Sequence, residues 1–183
     1  MSRLFTPASI ADAPEASRSL LHAVNAQLGV TPNLFRMVAN SPAALEGYVG
    51  MLGALGKGAL PATTRERIAL AVAEANGCDY CLSAHTYLGK HVARLDEAEM
   101  MANRGGKSHD PTADTAVRFA RKVMETRGRV SDAEVRAVLD AGYDDGQIVE
   151  IVQHVALNIW TNYVNSVAKT EVDFPLVSAR KVA

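Results

Sequence analysis

A chain of 183 residues, 48% of them hydrophobic and 21% charged, is long enough to bury one substantial core and reads as an ordinary globular protein. Its formal net charge of −1, with no basic stripe and interleaved aromatics, gives no attraction to nucleic acid or to an anionic membrane surface. No apolar stretch approaches the roughly 18 residues a membrane span needs, and the N-terminal MSRLFTPASIADAPEAS lacks a signal-peptide h-region, so the expected compartment is the cytoplasm. Two cysteines close together in a reducing compartment point to redox or metal chemistry rather than to a disulfide framework.

The dominant period is helical, and strict alternation of β-branched residues is nearly absent, so an all-α fold of about eight helices is expected. The first is expected over about 15–28, behind Pro14 and stopped by Gly29. A short one follows Pro32 to about 40, and Pro42 opens the next, which ends in the Gly-rich stretch 53–58. A strongly apolar helix is expected over about 64–75 and is stopped by Asn76–Gly77. Cys78 starts another that reaches about 89–91. Asp96 caps a short helix to about 103, and Pro111 opens one to about 126. Ser131 with Glu134 is a capping-box pattern, and Asp144 or Asp145 begins a long apolar helix to about 169. The tail after Asp173, with Pro175, reads as an arm.

The informative stretch is ERIALAVAEANGCDYCLSAH, from Glu66 to His85. Cys78, Cys81 and His85 are spaced three and four apart, which stacks them on one helix face. Residues three apart on a helix have Cα atoms about 5 Å apart, within reach of a disulfide. Gly77 places Cys78 in the first helical turn, where unpaired N–H groups and the helix dipole favour a thiolate. His85 can take a proton from a cysteine on its own face, most directly Cys81. Glu66, on the preceding helix, reaches His85 if the two helices fold back across Asn76–Gly77. The result is a Cys–His–Glu relay aimed at a thiol.

Each member also has a plainer reading. Glu66 follows Thr63 by three and can complete a capping box. Cys78, Cys81 and His85 are three ligands, one short of a structural zinc site, and no second CxxC or His pair occurs. Polar neighbours Asp79, Tyr80, Ser83 and His85 argue against two inert buried thiols. His22, His91 and His109 read as surface residues, and His154, among apolar neighbours, as a core histidine. The helix dipole favours Cys78 as the attacking thiolate, whereas a base one turn beyond favours Cys81. The dipole contributes typically under about 1 kcal/mol at exposed sites, and a hydrogen-bonded base outweighs it, so Cys81 is expected to attack.

The order Glu66, eleven residues, Cys78-x-x-Cys81-x-x-x-His85 resembles the AhpD-like alkylhydroperoxidase branch of the carboxymuconolactone decarboxylase superfamily. GVTPNLFRMVANSPAALEGY (29–48) is similar to the N-terminal approach of its peroxidase-related members, and NIWTNYVNSVAKTEVDFP (158–175) to their C-terminal signature. The resemblance implies an AhpD-like helical bundle in a single domain, 1–183, with 1–60 an N-terminal helical extension and 61–127 the CxxC core. It implies a homo-oligomer that reduces hydroperoxides with a dithiol reductant of the lipoyl type, and neither a cofactor nor a metal is expected. It also implies that the Glu66–His85 relay deprotonates Cys81, which attacks the peroxide, and that Cys78 resolves the sulfenic acid as a disulfide. In one departure, Tyr80 stands where the best-known members carry a second histidine. A tyrosine there can donate a hydrogen bond but is no base near neutral pH, so it is read as an auxiliary residue. Two other readings stay open: a non-catalytic helical oligomer or redox sensor using the same thiols, and a decarboxylase of the same superfamily, whose members generally lack the CxxC.

Overall fold

The computed structural model describes residues 2–180; the outermost residues of the expected 1–183 domain, Met1 and 181–183, lie outside the described residues. Among the described residues the chain forms nine α-helices and no strand, in keeping with the expected count of about eight. They are α1 (Glu15–Leu28), α2 (Asn33–Val38), α3 (Pro42–Leu55), α4 (Ala62–Ala75), α5 (Asp79–His91), α6 (Glu97–Arg104), α7 (Pro111–Thr126), α8 (Asp132–Asp140) and α9 (Asp145–Ala168). None is long and apolar enough to cross a membrane.

The ends obey local chemistry. Asp96, Asp110, Ser131 and Asp144 each accept a backbone N–H in the first turn of α6, α7, α8 and α9, and Ser131 with Glu134 forms the expected capping box. The start of α4 differs from expectation. Pro61, held extended, lets the helix begin at Ala62, so Thr63 lies inside it and caps nothing. Glu66 is therefore not part of a capping box, and its carboxylate is free for other work.

Helix α4 is the centre of the bundle and packs against α5, α6, α7 and α9. Its buried run Ile68-Ala69-Leu70-Ala71-Val72-Ala73 is apolar around most of the helix, as expected of an element covered on several sides. Leu70 and Ala73 join a core with Leu21, Phe35, Leu45, Tyr48 and Leu82. Ile68 and Val72 join a second with Phe119, Val138, Ile151 and Val155. The small alanines let neighbouring helices approach closely.

The tail beyond α9 lies along α5 rather than reaching away as an arm. The Val177 N–H donates to Ser83 Oγ (2.9 Å), the Ala179 N–H to Asp79 Oδ1 (2.8 Å) and the Arg180 N–H to Glu74 Oε1 (2.9 Å).

Behind α4, Glu99 of α6 is buried and holds the α6–α7 connection. It accepts from Arg67 Nε (2.6 Å), Asn103 Nδ2 (2.9 Å), Ser108 Oγ (2.5 Å) and the His109 N–H (2.8 Å). Burial opposes its charge, but these donors win and hold its pKa down at about 2. A depressed carboxylate pKa stabilises the fold above the unfolded value and loses that contribution as pH falls toward the folded one. Urea titration should show Glu99→Ala destabilised by about 3 kcal/mol or more, because Arg67 is left buried without its partner. Glu99→Gln should blunt the loss of stability between about pH 4.5 and pH 2. A Glu99→Gln acid limb identical to that of the native protein would count against this account.

Candidate active site

The site is a helix hairpin. Gly77 takes the left-handed conformation (φ 65°), and the Gly77 and Cys78 N–H groups return to Glu74 O and Ala73 O at the end of α4. The chain reverses, and α5 packs back on α4. The reversal brings Glu66 Oε2 to 2.8 Å from His85 Nδ1, so the carboxylate and imidazole expected to pair do so.

Cys78 sits one step outside the expected position. It is the N-cap residue of α5, with extended backbone (φ −93°, ψ 97°), and the helix proper starts at Asp79. Its Sγ accepts the Cys81 N–H (3.3 Å), as a serine or aspartate cap would. Cys81 is thus the residue in the first turn. The two sulfurs are 2.7 Å apart, and both residues are only 3% exposed.

The electrostatics separate the two thiols. Hydrogen bonding to Cys81, then burial, pushes Cys78 well above the ordinary thiol range. Cys81 moves down: the Cys78 thiol donates to it, and His85, Asn165 and Asn162 add to this against the cost of burial. Burial alone would lower His85, but the Glu66 carboxylate and then Cys81 outweigh it and raise its pKa. Together these shifts favour ionisation at Cys81 over Cys78 and favour the protonated form of His85, which Glu66 braces.

Tyr80 is not brought to the sulfurs. Its hydroxyl accepts the Leu34 N–H (3.0 Å), its ring meets Phe174 edge-on (5.9 Å), and burial keeps it protonated. It ties α5 to α2 and to the tail. His154 is buried, as a core histidine would be. Burial, then Arg65, lowers its pKa to about 4 and keeps the ring neutral, and Nε2 has no partner. It nonetheless lies within the field of Glu66 and His85.

Sequence reasoning missed three contributors. Tyr48 of α3 stacks between Phe35 and Trp160, with centroids 5.1 Å away on each side. Burial, then the charges of Cys81 and Glu66, keep its phenol protonated. Asn165 of α9 donates from Nδ2 to Cys81 Sγ (3.3 Å), and Asn162 lies one turn before it. Their signal was present in the 158–175 segment, but periodicity alone cannot tell a buried asparagine on an apolar helix from a solvated one. Among the described residues no group of three His, Cys, Asp or Glu side chains is placed to hold a metal.

Residues 42–121, which hold the whole Glu66–His85 constellation, match the model of the carboxymuconolactone decarboxylase family. No curated protein matches the sequence. Solved structures share the fold. An uncharacterized peroxidase-related protein with an AhpD core from Ralstonia eutropha JMP134 is 23% identical, with a TM-score of 0.83 over 94% of this chain and 92% of its own. A peroxidase-related protein from Silicibacter sp. TM1040 is also 23% identical, with a TM-score of 0.79 over 93% and 94%. The debrominase Bmp8, in complex with 2,3,4-tribromopyrrole, is 19% identical, with a TM-score of 0.78 over 94% and 93%. The chain has the AhpD-like all-α fold, and its residues 42–121 carry the carboxymuconolactone decarboxylase family pattern.

Proposed function

We propose that the protein is a thiol-dependent peroxidase that reduces organic hydroperoxides through the Cys78–Cys81 couple. The observation that carries this reading is a pair of sulfurs 2.7 Å apart, of which one, Cys81, faces a histidine held by a carboxylate. The Cys81 thiolate attacks the distal peroxide oxygen. The O–O bond breaks, Cys81 becomes a sulfenic acid, and the departing alkoxide takes a proton from the His85 imidazolium. The Cys78 sulfur then attacks Cys81, the S–O bond breaks, and the hydroxide leaves as water with the Cys78 proton. A dithiol reductant, of the lipoyl type that the family resemblance suggests, restores both thiols by exchange and leaves as its own disulfide. A reducing compartment such as the cytoplasm suits this cycle. An apolar strip on α9 (Val149, Val152, Tyr163 and Val167, all exposed) supports assembly into a homo-oligomer.

A second reading has one observation in its favour. Tyr48 and Trp160 stack beside the site, and Bmp8, a debrominase of the same fold, was captured with a bromopyrrole. In that chemistry the Cys81 thiolate takes bromine from an aromatic ring and the ring carbon takes a proton. Cys78 then displaces bromide to form the same disulfide.

Intact mass after one equivalent of alkyl hydroperoxide should fall by two hydrogens with no oxygen added. Cys81→Ser should abolish consumption, while Cys78→Ser should leave a sulfenic acid on Cys81 that a dimedone-type probe labels. Labelling of Cys78 in a Cys81→Ser protein that still consumes peroxide would reverse the two roles. Debromination of tribromopyrrole without peroxide turnover would select the second reading.

The pH profile should be bell-shaped. The rate rises as pH climbs through the lowered Cys81 ionisation, below the ~8.5 of a free thiol, because thiolate forms. It falls as pH passes the raised His85 ionisation, because the imidazolium that protonates the alkoxide is lost. Glu66→Gln should move the falling limb to lower pH and slow turnover by about 10²-fold. A single rising limb at the free-thiol value would remove the relay from the mechanism.

A further inference from the structure

Helix α9 carries a buried polar side past the cysteine hairpin. Its first members are accounted for within the helix: Asn158 Nδ2 donates to His154 O (2.8 Å) and Thr161 Oγ1 to Asn158 O (3.0 Å). Asn162 and Asn165 are not. Asn165, 3% exposed, donates from Nδ2 to Cys81 Sγ. Asn162 is fully buried, and its Oδ1 is taken by Asn76 Nδ2 (2.9 Å), which leaves its own Nδ2 with no acceptor. Asn76 comes from the hairpin turn itself, two residues before Cys78, so the turn that places the cysteines also decides which end of Asn162 is spare.

A buried amide donor without a partner lowers stability, and native proteins keep few of them. Asn162 lies one turn before Asn165 and already acts to lower the Cys81 ionisation, so its spare donor gains an acceptor when the charge appears. An amide does not titrate, so it stabilises the anion throughout the working pH range, unlike a histidine.

We propose that Asn162 and Asn165 form a two-amide anion site that holds the Cys81 thiolate, with Asn76 fixing the orientation of Asn162. The proposal rests on the reading of Cys81 as the nucleophile and is indifferent to the electrophile. The other titratable groups facing Cys81 are Cys78 and His85 from its own hairpin, Glu66 from α4 and Tyr48 from α3. None of the four is replaced by either amide. On α9 itself His154 lies two turns before Asn162, toward Glu66 and His85.

The test is the ultraviolet thiolate absorbance of the full-length protein against pH, in a Cys78→Ser background so that one sulfur titrates. Asn165→Ala should raise the Cys81 midpoint by about one pH unit, a tenfold loss of thiolate below the midpoint. The near-isosteric Asn165→Asp should raise it further, because it sets a negative charge against the sulfur. Asn162→Ala should raise it by less. Asn76→Ala, which disturbs only the orientation of Asn162, should move it in the same direction and serves if Asn162→Ala fails to fold. Thermal melts separate a structural role, which lowers the melting temperature without moving the midpoint. A midpoint unmoved in Asn165→Ala, Asn165→Asp and Asn76→Ala would overturn the proposal. The titration uses no peroxide. A protein inert to hydroperoxides whose Cys81 midpoint still moves with Asn165 would refute the peroxidase reading alone.

Discussion

The contact on which this architecture turns is the 2.8 Å approach of Glu66 Oε2 to His85 Nδ1 across the α4–α5 hairpin. Nineteen residues separate the pair in sequence, and both must face the same seam. A two-residue reversal at Asn76–Gly77 with left-handed backbone at Gly77 meets that demand. A side chain at position 77 would strain the turn and rotate α5, and with it His85 and both sulfurs, away from α4. The carboxylate does for His85 what a second partner does for any catalytic imidazole: it fixes the ring and favours its protonated form.

Rigidity behind the hairpin comes from α4. Its side chains feed two separate cores, so the helix that carries Glu66 cannot shift without disturbing both. Arg67, the next residue, is locked to the buried carboxylate of Glu99, and Glu74 near the other end is paired to Arg104 (2.6 Å). The tail adds a further restraint, since its backbone N–H groups bond Glu74, Asp79 and Ser83 along both arms of the hairpin. A site whose reacting atoms must meet within a few tenths of an ångström needs this kind of support.

Much of this was legible in the sequence. Helix bounds followed from Pro, Gly and acidic caps, and the Glu66–His85 pair followed from spacing plus a turn signal. What sequence could not supply was the side-chain environment across helices. The choice between a capping and a relay role for Glu66 depended on whether α4 starts at Ala62 or two residues later, a difference finer than periodicity resolves. Tyr80 lies next to Cys81 in sequence, yet the helix turns successive side chains apart by about a third of a circle, and its hydroxyl ends on α2. His154, Asn162 and Asn165 read as ordinary members of an apolar helix, because nothing in α9 alone states that its polar side meets a thiol.

At the N-cap, Cys78 still takes the first-turn Cys81 N–H, but the hydrogen bond its thiol makes to Cys81, then burial, outweigh that donor. With both cysteines inside the helix, the dipole would favour the first as the thiolate and the histidine the second. The Cys78 thiol, His85 and Asn165 converge instead on the Cys81 sulfur. Cys78 meanwhile is held as a protonated thiol by the same hydrogen bond, because one proton shared between two close sulfurs cannot leave both. Under the proposed function, one short contact therefore serves both roles: it makes Cys81 the better nucleophile and keeps Cys78 in reserve as the thiol that closes the disulfide. Burial strengthens the division, since a low-dielectric pocket penalises an unpaired thiolate at Cys78 far more than one at Cys81 surrounded by donors. The unpartnered amide of Asn162 and the bare Nε2 of His154 fit the same logic, as two of the buried polar atoms without a partner, placed where charge has to appear and disappear.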